Sequence, residues 1–457
     1  MKVCFLIPDG VGIRNYLYSD VVKGLIEQGH EVIVWHSLGK DLILQVKKYI
    51  DVDFEDFDFI HRPEAPIVKF IRESAVLARL RKNREIRSNP TILSNWNPSK
   101  KGWKNKIFYK GVEIVSNYLK DFSAISRWEE YGFEKSKTGI SFQEAKSFLQ
   151  EQKPDILFCT HQRVPSVTSA LMAAKAIGIK TYTAIFSWDN LPKARLPFRT
   201  DKYLVWSQYM KNELLTYYPD INENQIEITS TPQFDFYRKK ELIYSREEFA
   251  QKYGLNPTRK WVCYSGSDSI SSPHDPDYLE QIARALRQNE NVQLIFREVP
   301  VESNKRFQKV FEKHPEIINI SPEWVKSSQW GSFFPMPSDI RLLVNLAYHC
   351  NVVINLGSTM ALDFAVFNSN GLYLRYDQPY EKERLVKHIY NYEHFSTMKG
   401  LDPVGWIDAE EDILSKVNSA LERPESIGPD RLKWFHRIVE PDNNHTSSER
   451  IVRSLTQ

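Results

Sequence analysis

Residues 352–367, VVINLGSTMALDFAVF, hold the residue types and spacing most suggestive of chemistry. The apolar run from Val352 reads as a buried strand, Gly357-Ser358-Thr359 as a tight turn, and Met360 onward as the start of a helix. A strand, a small-residue turn and a helix start present backbone N–H groups and the positive end of a helix dipole, which suits a phosphate. Ser358 is placed to cap the helix, and Asp363, four residues after Thr359, falls on the same face one turn further along. A carboxylate about 5–6 Å from a phosphate-binding end suits a ribose hydroxyl pair. The same letters also fit a ligand-free α/β turn with a solvated Asp363.

Other strand ends carry candidates. Ser265, Gly266 and Ser267 follow the run KWVCY and offer N–H groups and hydroxyls to a diphosphate, facing the Gly357 turn across the sheet. Arg297 ends the run VQLIFR, where it can meet phosphate or pair with a neighbouring acid. Near the N-terminus, Asp9, Gly10, Val11, Gly12, Ile13 and Arg14 contain G-x-G but not the third glycine of a dinucleotide fingerprint, since position 15 is Asn. Those glycines permit a tight turn, or else let a substrate approach with Asp9 and Arg14 facing a cleft. His161, in Thr160-His161-Gln162-Arg163, is a candidate general base, with a structural hydrogen-bonded His as the alternative. Asp189, in Ser187-Trp188-Asp189-Asn190, is a second candidate, with an Asx turn before Leu191-Pro192 as its alternative. Gly10, Gly12, Arg14, Arg163 and Trp188 stand on the same side as these bases. Asp56-Phe57-Asp58 matches the letters of a D-x-D metal motif but reads as an acidic loop, and no metal site is expected.

The elements that must position these residues follow from length and periodicity. A chain of 457 residues exceeds one ordinary core, and 42% hydrophobic with 26% charged residues is the composition of a soluble globular protein. Strand-like and helical runs alternate over 1–65 and again from 150, the pattern of doubly wound α/β sheets. The expected architecture is two Rossmann-like domains facing a cleft: 1–240, with a helical insert at about 66–150; 241–435; and a segment 436–457 closing back on the first. No run approaches the ~18 apolar residues that span a bilayer. The N-terminal apolar stretch stops at Pro8-Asp9-Gly10 without a small-residue cleavage site, so a cytoplasmic protein is expected. Four widely spaced cysteines in or beside apolar runs read as reduced core thiols. A formal charge of +3 does not by itself imply nucleic acid, and none is expected as a partner.

Taken together, YSGS at 264–267, Arg297 to Pro300, NLGSTMALDFAVF, TSTPQFDFY at 229–237 and the closing WFHRIVEPDNNHTSSERIVRSL give the chain a family resemblance. It resembles the two-Rossmann-domain (GT-B) glycosyltransferases, and is similar to bacterial surface-polysaccharide transferases and their CDP-glycerol glycerophosphotransferase relatives. The resemblance implies a nucleotide-sugar donor in the second domain, a glycan or lipid-linked acceptor in the first, and no catalytic metal or cofactor. By position it puts Ser265, Gly266, Ser267, Gly357, Ser358 and Thr359 near the diphosphate and Asp363 at the ribose, where many relatives carry Glu. The base is His161 or Asp189, with Asp9 third. The Arg297 strand end lacks the following Pro-His found in some glycerophosphotransferases, which counts against that donor. Rival expectations are a nucleotide-sugar 2-epimerase on the same fold and a non-catalytic nucleotide- or glycan-binding protein.

Residues 66–150 depart from the alternation. Arg72, Arg79, Arg81, Lys82, Arg84 and Arg87, then Lys100, Lys101, Lys104, Lys106 and Lys110, are interleaved with Trp96, Trp103, Phe108 and Tyr109. The mixture suits an anionic membrane surface or lipid-diphosphate acceptor, and equally a solvated helical face with its aromatics turned inward. It also suits single-stranded nucleic acid, which nothing else in the chain supports. Residues 324–339 read as a loop that selects the sugar.

Overall fold

A computed structural model describes the chain except residues 11, 100, 301, 326–333 and 382–384, and the side chains of Asp41 and Lys387. Val11 and Lys100, and half of the expected 324–339 loop, therefore lie outside the described residues.

The apolar runs form two parallel sheets. The first holds β1 (Lys2–Ile7), β2 (Glu31–His36), β3 (Glu55–Asp58), β4 (Ile156–Cys159), β5 (Lys180–Ala184), β6 (Lys202–Val205) and β7 (Ile226–Ile228), in the order β3-β2-β1-β4-β5-β6-β7. The second holds β8 (Lys260–Ser265), β9 (Val292–Arg297), β10 (Ile318–Asn319), β13 (Val352–Asn355), β14 (Asn370–Leu374) and β15 (Gly405–Ile407), in the order β10-β9-β8-β13-β14-β15. A separate antiparallel pair, β11 (Trp324–Val325) and β12 (Phe334–Pro335), lies between β10 and β13 in the chain. Central strands such as β1, β4 and β13 are buried almost throughout, as parallel strands covered on both faces must be. The four cysteines are free and buried in this packing.

Each sheet reverses its strand order once, between β1 and β4 in the first and between β8 and β13 in the second. Those reversals are where open α/β sheets leave a crevice at their carboxyl edges. The two edges face one another. Trp188, beyond β5, packs on His394 and Phe395 of the second half, and Tyr237, beyond β7, donates to Asp363 beyond β13 at 2.7 Å.

Further connections hold the halves in register. Trp434, in the helix Arg431–Val439, meets Trp188 edge-on. The final helix, Ser447–Thr456, lies against the helix Asp20–Glu27, and buried Asp235 accepts the N–H groups of Ser447 and Ser448 at 2.9 and 2.8 Å. Arg87, at the end of the helix Pro66–Arg87, pairs with Glu393 at 2.5 Å.

The insert forms four helices, Pro66–Arg87, Trp103–Tyr118, Phe122–Ser136 and Ile140–Gln152. Much of its basic character is spent internally. Arg79 is fully buried against Glu129, Arg72 pairs with Glu64, Arg81 donates to Ser116 and Asn117, and Lys82 pairs with Glu85. The D-x-D letters are also reassigned. Asp56-Phe57-Asp58 belongs to edge strand β3 rather than a loop, and Asp56 is held by Lys47 at 2.5 Å.

Candidate active site

The first crevice joins the β1 and β4 ends. Gly12 is required there by close approach, because a Cβ would meet Thr160 Oγ1 at 2.7 Å and Ile7 at 2.9 Å. Its φ of −59° needs no glycine, so the position is set by packing of the turn onto β4. Gly10 is buried beside it. With the turn drawn in, Asp9 reaches His161, and its Oδ2 lies 2.5 Å from His161 Nδ1. A carboxylate accepts, so Nδ1 carries the proton, and in the neutral form of the ring the lone pair is on Nε2. That Nε2 is buried and has no hydrogen-bond partner among the described residues. Gln162 Oε1 and Arg163 Nε are in the same condition, so three successive residues hold unsatisfied polar atoms at one strand end. Buried polar atoms are rarely left so without a water or ligand to meet them. Phe186 lies over the His161 ring, with centroids 4.8 Å apart.

Asp189 does not have that freedom. It is salt-bridged to Lys193 one turn ahead and accepts from Asn190 at 2.9 Å. Burial opposes its ionisation, yet Lys193 holds the carboxyl at about 2. A carboxylate that acidic and already paired is a poor proton acceptor at neutral pH. Trp188, expected on the acceptor side, is 4% exposed and spent on the contact with His394, Phe395 and Trp434. Arg163 borders a narrow cavity of about 50 Å³ under the insert, beside Arg72 and Arg195.

The second crevice joins the β8 and β13 ends. These strands are neighbours in register, Val262 beside Val352, so the Ser265 and Gly357 turns stand side by side at one edge and not across the sheet. Their backbone N–H groups are largely committed. Gly266 donates to the Arg297 carbonyl at 2.9 Å and Ser267 to Asp275 at 2.8 Å. Asp275 is fully buried and burial raises its carboxyl to about 6. Ser358 N–H goes to Asn355 Oδ1 at 2.8 Å, and Met360 N–H to Ser358 Oγ at 3.3 Å. The N-cap is Thr359 rather than the expected Ser358, which nonetheless braces the helix start through Met360 N–H. Gly357 takes φ +65°, and its outer side is covered: a Cβ would meet Phe395 at 2.8 Å. Of the N–H cradle expected of these two turns, the Gly266, Ser267, Ser358 and Met360 groups are thus already taken within the protein.

What remains unsatisfied here is side-chain chemistry. Arg297 is fastened through Nη2 to both oxygens of Asp339 at 2.9 and 3.1 Å, while its Nη1 is buried with no partner among the described residues. Asn355 Nδ2 and Glu298 Oε2 are likewise unpaired. Asp339 also accepts from the N–H of Glu323 and from Trp324 Nε1, so the described part of the 324–339 stretch anchors Arg297. Asp363 is buried, with one oxygen taken by Tyr237. Burial raises it to about 6, against the pull of Tyr237, Arg14 and Arg297. Arg14 reaches this seam from the first domain and donates to Gln233 at 3.0 Å. Tyr237, Asp339 and Asn355 were not singled out from the sequence. Asn355 alone left a signal there, a polar residue ending a buried apolar run.

Among the described residues no group of three or more His, Cys, Asp and Glu is arranged to hold a metal ion, and no helix is long and apolar enough to cross a membrane.

No family model and no curated protein matches the sequence. Solved structures do match in fold. UDP-GlcNAc 2-epimerase from Neisseria meningitidis, bound to UDP-GlcNAc, is 11% identical with a TM-score of 0.53 over 100% of this chain and 99% of that one. The S. aureus MnaA–UDP co-structure is 12% identical with a TM-score of 0.54, over 99% and 95% of the two chains. A glycosyltransferase from Rickettsia africae ESF-5 is 12% identical with a TM-score of 0.52, over 99% and 96%. The likeness is one of fold. The chain has the GT-B architecture of two Rossmann-like domains set carboxyl edge to carboxyl edge.

Proposed function

We propose that the protein is a metal-independent glycosyltransferase acting in bacterial surface-polysaccharide assembly, moving a sugar from a nucleotide-sugar donor to a hydroxyl of a glycan or lipid-linked acceptor. The observation that carries this reading is the Asp9–His161 pair, which leaves a buried, unpartnered Nε2 at the first-domain crevice. Asp9 holds the ring and its tautomer, and His161 Nε2 takes the acceptor proton. The acceptor oxygen then bonds to the anomeric carbon as the bond to the donor diphosphate breaks, with the electron pair leaving on the diphosphate. Positive charge for that group comes from Arg297 and Arg14, which flank the seam beside Asp363. The nucleotide ligands of the structurally similar proteins support a nucleotide-sugar as the donor class.

A thermal-shift screen against nucleotides and nucleotide-sugars identifies the donor, since a ligand that binds only the folded state raises its melting temperature by mass action. Transfer is then followed with that donor and candidate acceptors in EDTA. Activity restored only by Mg²⁺ or Mn²⁺ overturns metal independence, and binding without transfer or hydrolysis leaves a binding protein. The full-length likeness to UDP-GlcNAc 2-epimerases favours a second reading, conversion of the donor itself. Donor incubated alone separates the two, because an epimerase changes it without an acceptor.

A further inference from the structure

One helix of the insert has a face that neither the core nor the proposed reaction uses. Along Trp103–Tyr118, Trp103, Ile107, Ile114 and Tyr118 are 69%, 65%, 49% and 77% exposed. At 100° per residue these four fall within an arc of about 60°. The opposite face is committed: Tyr109, Val112 and Ser116 are buried, and Tyr109 and Val112 pack on Leu77 and Phe70 of the helix Pro66–Arg87. The stripe is therefore not a core face left ajar. It is a second apolar face on a helix whose first is already satisfied.

The charges sort around it. Lys106 and Lys110 lie along one flank and Lys104 along the other, all exposed, with exposed Lys101 just before the helix. The helix's one acid, Glu113, stands off the stripe on the Lys106 side and meets Lys110 at 3.9 Å across the exposed surface. The other basic residues of the insert that pair with acids or carbonyls, such as Arg72, Arg79 and Arg87, point elsewhere. What remains is an apolar strip about 22 Å long. Trp and Tyr stand at its ends, Ile between them, and lysines border both edges.

We propose that this helix docks the protein on an anionic bilayer, lying in the plane of the interface with Trp103, Ile107, Ile114 and Tyr118 inserted and the lysines at the headgroups. Aromatic ends suit the boundary between headgroup and chain, and lysines bordering an apolar strip match a negatively charged surface better than an uncharged one. The inference rests on the exposed face and its charges and is independent of the transferase reading.

Vesicle flotation with the full chain tests it. The protein floats with phosphatidylcholine vesicles containing phosphatidylglycerol, not with phosphatidylcholine alone, and added salt releases it. Reversing Lys104, Lys106 and Lys110 to Glu lowers partitioning about 100-fold or more. Ile107→Ser with Ile114→Ser lowers it about tenfold. All five positions are exposed, so unchanged far-UV circular dichroism separates lost docking from lost folding. No flotation at low salt, equal flotation on neutral vesicles, or wild-type partitioning of both variants overturns the proposal. So does salt-sensitive binding to single-stranded nucleic acid in place of vesicles, or a self-association that the isoleucine variant abolishes while vesicles are ignored.

Discussion

The two crevices are built on the same plan and end in opposite chemical states. At the first, between β1 and β4, a histidine is fastened on one side and left with a lone pair on the other, next to two further unsatisfied polar atoms. At the second, between β8 and β13, the turn N–H groups of Ser267, Ser358 and Gly266 are consumed by Asp275, Asn355 and the Arg297 carbonyl. Its open valences are on Arg297 and Asn355 side chains. One topology thus yields a basic lone pair in one domain and fixed side-chain donors in the other. A turn motif shows where a ligand can sit, whereas the hydrogen-bond account decides which atoms are left to meet it.

The comparison breaks most directly at His161. His161→Ala should lower turnover about 10²–10⁴-fold with nucleotide binding retained, and Asp9→Asn should lower it less while altering the pH–rate profile. Asp189→Asn should cost far less turnover than His161→Ala and show instead as lost stability of about 1–3 kcal/mol in denaturant unfolding, because it leaves Lys193 unpaired. Equal losses of turnover in the two variants would erase the distinction drawn between them. In the second crevice, Gly357→Ala combines a positive φ with a Cβ against Phe395. It should destabilise the fold by about 1–3 kcal/mol, read by the same unfolding titration.

Asp363 gives the smallest expected effect and sharpens the comparison. Burial raises its carboxyl from the ordinary 3.8 to about 6. The folded state therefore holds a proton that the unfolded state releases earlier. Its contribution to stability is complete below 3.8 and is lost as pH rises through about 6. Asp363→Asn should flatten the stability profile across that window, measured as melting temperature against pH. If the same variant also abolishes nucleotide binding with the fold intact, Asp363 serves the ribose as well as Tyr237.

Much of the frame was legible in the amino-acid order. Each of β1, β4, β8 and β13 is a short apolar run, and burial on both faces of a parallel strand leaves that signature directly. The insert helices are legible from helical spacing. Strand β3, EDFD, was not, because an edge strand need not be apolar and its letters imitate a metal motif. The positions of His161 and Arg297 at strand ends followed from the runs that precede them. Their partners did not: Asp9 lies 152 residues from His161 and Asp339 lies 42 from Arg297.

By itself, the sequence determined where two doubly wound sheets run and which residues stand at their carboxyl edges, since those depend on local apolar patterning and turn chemistry. Only the tertiary structure decided which of those residues remain available. It spent Trp188 on the domain contact, tied Asp189 to Lys193, committed the Ser358 and Ser267 N–H groups within the protein, and joined His161 to Asp9. The physical reason is that a polar atom's chemistry depends on whether its hydrogen-bonding capacity is already filled, and the groups that fill it come from distant parts of the chain.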